Sequence, residues 1–457
     1  MKEAVSFKDP DGYIVISEGE PLRFLSDGYA AEYEHLMQSG LYQRLIKEQL
    51  LIPHQEIAHQ DIGTQNIYKV LAPDKIDFIA YPYEWCFSQW KETLLGCLKI
   101  NKIALEYGMI LKDATPFNFS IFKGHITLFD TSSFQFYQDG TPWHAYKQFC
   151  EELLGPLALM KYRGPSWSSL FSGAIRGFDL AFISDQLPAS SYFNMSCLLH
   201  LHWHSRYKNK GDKPGASPHI DTGLNKQKLL ALWQMLESSV SNWQSPISKR
   251  GWWPDYYAEY IESAAYMSDK KVTVSRWLED IRPHKVVDLG ANTGVFSALA
   301  AAFADQVISV EADPFCVEKL YGERTGTGLS EIVPIVADLT NPSSGLGWNN
   351  EERPALLERL NCDMVMALAL IHHLCITYNV PLDFVAGLFA RLTSRYAIVE
   401  YIPKSDGKVK TMLKHRQDIF AKYSENDFRS TFLQYFDLQE EHLCEGSERK
   451  LFLWRRK

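Results

Sequence analysis

The stretch VVDLGANTG, residues 286–294, limits the possible folds more than any other part of this sequence. It combines apolar residues around one acid with two glycines, and the run FSALAAAFA that follows can form a helix. A strand that ends in a glycine turn and enters a helix is typical of the ligand-binding corner of an α/β sheet. The stretch therefore predicts an α/β fold with a ligand at this turn.

The residue types at this turn narrow the choice of ligand. A phosphate-binding P-loop needs a lysine after its second glycine, and no lysine occurs at 291–304. A dinucleotide site prefers a further glycine where Asn292 stands between Gly290 and Gly294. A phosphate-free cofactor, whose polar groups meet the Asp288 carboxylate and the loop backbone, fits better. We therefore expect S-adenosylmethionine as the cofactor.

Composition narrows the class of protein further. The 457 residues carry a formal net charge of -8, which argues against a protein that binds nucleic acid or membranes mainly by charge. Eight cysteines without C-x-x-C spacing disfavour a zinc ribbon or a disulfide framework. The longest apolar run, MVMALALI at 364–371, is too short to span a bilayer. We expect a cytoplasmic protein with neither nucleic-acid nor membrane partners.

From about residue 285 the chain alternates short strand-like runs with helical patterns, which is typical of a doubly wound α/β sheet. The last stretch, FDLQEEHLC followed by GSERKLFLWRR, reads instead as a hairpin without an intervening helix. We predict strands near KVVDL (285–289), VISVE (307–311), EIVPIV (331–336), MVMAL (364–368) and AIVEY (397–401).

This pattern and the DLGANTG loop resemble the seven-stranded, Rossmann-like fold of class I S-adenosylmethionine-dependent methyltransferases. The resemblance implies that Asp288 lies near the methionine part of the cofactor, Glu311 at the ribose hydroxyls and Asp338 at the adenine amino group. A carboxylate can accept from two vicinal hydroxyls, which suits Glu311. Each acid alone also fits a cap or a turn. The implied cofactor-binding residues are Asp288, Gly290, Asn292, Gly294, Glu311, Ala312, Asp338, Leu339 and Ala367.

The stretch ALALIHHLCI, residues 367–376, follows the fourth predicted strand and holds the candidate catalytic residues. Because ligands bind at the carboxyl ends of strands in such sheets, we expect His372 and His373 near the transferred methyl group. A neutral imidazole can accept the proton of an attacking hydroxyl or amine. Neighbouring helical residues point about 100° apart, so one of the pair at most should face the substrate. The alternative is a helix cap and a core residue.

The segments ALALIHHL, VPLDFV and VEYIPKSDGKV resemble, more narrowly, methyltransferases related to a nodulation protein. That resemblance implies Glu400 and Asp406 on the substrate side, although both also fit solvated loop acids. Lysines from Lys404 to Lys414 could attract an anionic acceptor or could form a solvated helix face. Whether the acceptor is a small molecule or a tethered intermediate stays open.

The N-terminal half contains GMILKDATPFNFSIFKGHITLFDTSSF, residues 108–134. This stretch resembles the catalytic loop and the metal-binding aspartate of aminoglycoside-phosphotransferase-like kinases. The resemblance implies a nucleotide site at Asp113, Asn118 and Asp130, with the first positioning a hydroxyl and the other two holding magnesium.

Departures from the kinase pattern predict a degenerate domain. Leu111 stands where a histidine is usual, and no glycine-rich phosphate loop is found. The stretch DPDGYIVISEGEPLRFL reads instead as a hairpin with its turn at Asp11-Gly12. We expect a scaffold that holds the acceptor or regulates the enzyme. The alternatives are a bifunctional or kinase-type phosphotransferase, turn residues of an unrelated α+β domain, and a non-catalytic cofactor-binding scaffold.

These patterns divide the chain into three predicted parts: a kinase-like α+β domain at 1–245, an aromatic helical connector at 246–270 and a methyltransferase domain at 271–457. His200, His202 and His204 alternate and would share one face of a strand, but no nearby acid or cysteine completes a metal set. We therefore expect S-adenosylmethionine and no metal.

Overall fold

The computed structural model describes residues 8–58, 66–206, 225–246, 263–327, 329–414 and 418–457. The chain forms two compact units, Met1–Ile247 with Gly345–Pro354, and Ser248–Ser344 with Ala355–Lys457. The short segment Gly345–Pro354 belongs to the first unit, although it lies in the chain between parts of the second. The sequence did not indicate this assignment. Of the predicted connector at 246–270, residues 247–262 lie outside the described residues.

The first unit begins with a four-stranded antiparallel sheet in the order β1-β2-β4-β3. Its first turn is at Glu18-Gly19, because Ser17 pairs with Glu20 and both turn residues have positive φ. The predicted turn at Asp11-Gly12 is wrong, since Gly12 already pairs with Leu25 inside the first strand. These strands are β1 (Gly12–Ser17), β2 (Glu20–Ser26), β3 (His54–Ile57) and β4 (Ile67–Pro73).

Two strand pairs and a set of helices complete the first unit. The pairs are β5 (Met109–Leu111) with β8 (Phe134–Phe136), and β6 (Phe119–Phe122) with β7 (His125–Leu128). The described α-helices are α1 (Ala30–Gln38), α2 (Leu41–Lys47), α3 (Phe87–Glu106), α4 (Tyr146–Gln148), α5 (Gly155–Arg163), α6 (Trp167–Leu170), α7 (Leu180–Gln186), α8 (Met195–Cys197) and α9 (Lys226–Ser241).

The second unit is built on one seven-stranded sheet in the order β11-β10-β9-β12-β13-β15-β14. The first five of these strands are parallel, and β15 runs antiparallel to both β13 and β14. The structure has strands at all five predicted positions and a hairpin at the end. They are β9 (Lys285–Leu289), β10 (Gln306–Glu311), β11 (Ile332–Val336), β12 (Cys362–Ala367), β13 (Thr393–Tyr401), β14 (Phe436–Leu443) and β15 (Lys450–Arg456).

Helices flank this sheet and bury its faces. Central strands such as β9 and β12 are largely buried on both faces, as expected for parallel strands between helices. Within the described residues, no helix is both long and apolar enough to cross a membrane. The described α-helices of this unit are α10 (Ala264–Ile281), α11 (Val295–Ala301), α12 (Pro314–Thr327), α13 (Leu356–Arg359), α14 (Leu382–Leu392), α15 (Gly407–Leu413) and α16 (Glu425–Phe432).

Candidate active site

A cavity of about 180 Å³ lies at the carboxyl ends of the parallel strands in the second unit. Most of the predicted cofactor-binding residues line it: Asp288, Gly290, Asn292, Glu311, Ala312, Asp338 and Leu339. Two predicted residues, Gly294 and Ala367, are not part of the lining. The edge of the sheet therefore brings together residues that are far apart in the sequence, as parallel strands require.

The loop after β9 owes its shape to three residues with positive φ. Gly290, Asn292 and Gly294 have φ of 71°, 50° and 80°. Asparagine tolerates this conformation better than most residues, so Asn292 takes the place of a glycine without breaking the loop. A Cβ on Gly294 would come within 2.3 Å of Leu320 Cδ1, so this glycine permits close packing against Leu320 and does not line the cavity.

Asp288, the last polar residue of β9, is held by a chain of hydroxyls. Ser297 Oγ donates to its carboxylate at 2.6 Å, and Ser309 Oγ donates to Ser297 Oγ at 2.8 Å. Burial raises the pKa of Asp288 to about 6, although Ser297 and Lys270 act in the opposite direction. A buried carboxylate of this kind favours a cationic group on the ligand.

Glu311, at the end of β10, is oriented by the backbone. Its carboxylate accepts from the N–H of Asn292 at 2.8 Å and of Asp313 at 2.9 Å. Burial raises its pKa, and the backbone bonds oppose that effect. Asp338, after β11, is half-buried and accepts from both the N–H and the hydroxyl of Thr340. Both acids line the cavity with fixed orientations.

The two histidines after β12 have different positions. His373 lines the cavity, and burial together with Lys408 lowers its pKa to about 4. His372 is fully buried and does not line the cavity, and neither of its ring nitrogens has a hydrogen-bond partner among the described residues. Burial holds the pKa of His372 well below its ordinary value. Of the predicted catalytic pair, only His373 is therefore placed to touch a ligand.

Replacing His372 with leucine is expected to leave the free energy of unfolding unchanged or to raise it by about 1–2 kcal/mol. Within the described part of the chain both nitrogens of the buried imidazole lack a hydrogen bond, and leucine has no polar atoms to desolvate. Urea unfolding at pH 7 measures the difference. A loss of more than about 2 kcal/mol would show that the imidazole makes a stabilising polar contact.

Glu400 and Asp406, predicted on the substrate side, lie behind the lining in ion pairs. Glu400 is fully buried and accepts from Lys270 Nζ at 2.6 Å. Burial disfavours the charged form of the Glu400 carboxyl group. The positive charges of Lys270 and Arg449 outweigh this effect of burial and hold the pKa of Glu400 below its ordinary value. Asp406 accepts from Arg449 Nε at 2.8 Å and caps α15. These acids hold the cations that do line the cavity.

The lining also contains residues that the sequence did not single out, among them Tyr266, Lys270, Tyr378 and Arg449. Tyr266 and Lys270 are four residues apart on α10, so they share one face of that helix. The Tyr266 hydroxyl donates to Glu400. The four-residue spacing was visible in the sequence, but nothing there connected it to an acid on the fifth strand.

In the first unit, the predicted nucleotide-binding residues do come together. Asn118 Nδ2 donates to Asp113 at 3.2 Å and to Asp130 at 3.3 Å. Asp130, however, pairs with Arg23 at 2.5 Å and also accepts from the hydroxyls of two serines. An arginine thus holds the carboxylate that the kinase resemblance assigned to magnesium, so the arrangement does not favour a phosphotransferase.

The alternating histidines do not form a strand. His200 and His202 lie in a π-helical segment, Leu198–Trp203, which removes the shared face that a strand would give. His202 bonds to Ser184 and Ser191, and His200 bonds to Tyr146. Among the described residues, no group of three His, Cys, Asp or Glu side chains could hold a metal ion.

The order of the seven strands, in which β15 runs antiparallel to its two neighbours, and the glycine loop after β9 match the fold of class I S-adenosylmethionine-dependent methyltransferases. A curated relative, nodulation protein NoeA of Rhizobium meliloti (strain 1021), is 30% identical over 463 residues, which cover 99% of this chain and 96% of the relative. The chain therefore belongs to the NoeA family. No protein family model matches the sequence.

Solved structures similar to this chain include two methyltransferases. One is the N-methyltransferase NodS from Bradyrhizobium japonicum WM9, with 10% identity and a TM-score of 0.32 over 43% of this chain and 99% of that chain. The other is magnesium protoporphyrin IX methyltransferase from Synechocystis PCC 6803, with 15% identity and a TM-score of 0.31 over 45% of this chain and 98% of that chain. The strand order of the second unit and the glycine loop after β9 carry the assignment to the methyltransferase class.

Proposed function

We propose that this protein transfers the methyl group of S-adenosylmethionine to an oxygen or nitrogen nucleophile of an acceptor. One observation carries the proposal: Asp288, Glu311 and Asp338 lie at the carboxyl ends of three neighbouring strands, β9, β10 and β11, and all three line one cavity. Their spacing across the sheet suits, in turn, the methionine, ribose and adenine parts of the cofactor. The chain would therefore bind the cofactor through carboxylates and backbone, without any phosphate site.

The acceptor would enter on the other side of β9. There His373 follows β12, Lys408 follows β13 and Arg449 precedes β15. Methyl transfer depends mostly on holding the nucleophile in line with the methyl–sulfur bond. His373 would contact the acceptor. His372 would not touch the acceptor but would pack against the ring of His373, whose centroid is 4.2 Å away. The acceptor-holding or regulatory role of the N-terminal unit stays a prediction.

The first experiment is a calorimetric titration of the purified chain with S-adenosylhomocysteine, with Asp288→Ala as the matched variant. We expect one-to-one binding that the variant loses. No binding by the well-folded protein would contradict the proposal and would favour a non-catalytic scaffold. Titration with Mg-ATP in parallel tests the kinase-type alternative.

Glu311→Gln is expected to weaken binding of S-adenosylhomocysteine about tenfold, because an amide loses the charge-assisted bonds to the ribose hydroxyls. The control is Asp305→Asn. Asp305 lies just before β10, at the opposite end of that strand, and its side chain is 78% exposed. Equal affinities for the two variants would remove Glu311 from the cofactor site.

A further inference from the structure

Lys270 is a buried cation in the wall of the cavity. It lies on α10 and lines the cavity, although little of its side chain reaches solvent. Its ammonium group donates to Glu400 at 2.6 Å and to the Tyr266 hydroxyl at 3.3 Å. An ammonium group has three N–H donors, so these two bonds leave one donor without an acceptor among the described residues. That third donor is available to a ligand in the cavity.

Lys270 also lies next to the loop that follows β9. Its ammonium nitrogen is 4.8 Å from the centroid of the Phe296 ring, at the start of α11. An aromatic ring attracts an ammonium group but is a weak hydrogen-bond acceptor, so it does not replace a ligand oxygen. The residue after Phe296 is Ser297, which holds the Asp288 carboxylate. Burial raises the pKa of Asp288, and the charge of Lys270 acts against that effect. An acid and a cation therefore lie close together in one wall of the cavity.

A zwitterion fits such a pair of charges. The methionine part of S-adenosylmethionine ends in an ammonium group and a carboxylate on the same carbon atom. Asp288 attracts the ammonium group, and a cation beside Asp288 attracts the carboxylate. Because a zwitterion brings no net charge, the match depends on the order of the two charges in the wall. It requires no excess of either sign in the cavity.

We propose, on the basis of the methyltransferase function above, that Lys270 binds the carboxylate of the methionine part of the cofactor and makes the chain selective for ligands that carry it. The ammonium group of Lys270 then lies between two carboxylates, that of Glu400 behind the cavity wall and that of the ligand. Glu400 also accepts from the Tyr266 hydroxyl, so the two partners of Lys270 hold each other in place. A charge-assisted hydrogen bond of this kind changes affinity about tenfold to a hundredfold.

The test is calorimetric titration of the full chain with two ligands, S-adenosylhomocysteine and its decarboxylated analogue, in which hydrogen replaces the carboxyl group. The analogue keeps the nucleoside, the thioether and the ammonium group. We expect it to bind about thirtyfold more weakly than S-adenosylhomocysteine. This comparison needs no variant, and equal affinities would overturn the proposal.

The variant Lys270→Met/Glu400→Gln tests whether the preference depends on Lys270, because it removes the cation and leaves no buried carboxylate unpaired. We expect it to weaken binding of S-adenosylhomocysteine about thirtyfold and to leave the affinity for the decarboxylated analogue unchanged. Asp288→Asn should weaken binding of both ligands, since both carry the ammonium group.

Lys271→Met is the matched control. Lys271 lies on the same helix, is exposed and does not line the cavity. Its replacement should change neither affinity.

Two results with Lys270→Met/Glu400→Gln would also contradict the assignment. If the variant kept the preference for S-adenosylhomocysteine, another group would bind the carboxylate. If it weakened both ligands equally, Lys270 would support the shape of the cavity without binding the ligand. Failure of the unmodified chain to bind either ligand is a different result. It would contradict the methyltransferase function itself, so the two kinds of failure are distinguishable.

Discussion

Replacing Asp288 with asparagine is expected to stabilise the unliganded protein at neutral pH and to weaken cofactor binding about a hundredfold. The carboxylate is buried, and its pKa is raised from 3.8 to about 6. That difference corresponds to about 3 kcal/mol of unfavourable burial at pH 7. Asparagine has a similar shape and no charge, so it removes the cost of burial together with the charge that a cationic ligand needs.

The raised pKa of Asp288 also determines how the free energy of unfolding and the affinity for the cofactor depend on pH. The pKa of Asp288 is higher in the folded chain than in the unfolded chain, so protonation of this group favours the folded state. The stability that it contributes is fully present below pH 3.8 and is lost as the pH rises through about 6. Cofactor binding has the opposite dependence, because the cationic ligand requires the ionised carboxylate. We expect affinity for the cofactor to fall as the pH drops below about 6.

Urea unfolding and calorimetric titration between pH 5 and pH 8, at about 0.1 M salt, measure both effects. Asp305→Asn, at an exposed acid, should change neither quantity. If Asp288→Asn left the affinity unchanged, this carboxylate would not contact the cofactor. If the variant were less stable at pH 7, the hydrogen bond from Ser297 would outweigh the burial.

Glu400→Gln is expected to lower the free energy of unfolding by about 3–5 kcal/mol. Glu400 is fully buried, and the side chain of its partner Lys270 is only 4% exposed. Removing one partner leaves an ammonium group in the interior without its counter-charge, although the Tyr266 hydroxyl stays within 3.3 Å. The loss should exceed that of a surface ion pair several-fold.

The matched comparison is the exposed pair between Arg276 and Glu440, on α10 and β14. Glu440→Gln should cost at most about 1 kcal/mol. The double variant Lys270→Met/Glu400→Gln should recover part of the stability that Glu400→Gln loses, because no buried charge stays unpaired. Equal losses for Glu400→Gln and Glu440→Gln in urea unfolding would mean that Lys270 reaches solvent when its partner is removed.

Much of the second unit could be predicted from the sequence, because its signals are local. The runs that form β9, β10 and β12 are mostly apolar and bounded by turns, and the loop after β9 needs residues that tolerate positive φ. The first unit was harder. Glu18-Gly19 and Asp11-Gly12 are both plausible turns, and only the pairing of Gly12 with Leu25 decides between them.

The sequence by itself determined the order of strands and helices in the second unit and the acids at the carboxyl ends of β9, β10 and β11. These depend on neighbouring residues, since side-chain periodicity and glycine conformation act over a few positions. Only the tertiary structure decided that His373 faces the cavity while His372 is buried, and that Glu400 pairs with Lys270, 130 residues earlier. Such pairings depend on how helices pack on the sheet, which no local pattern specifies.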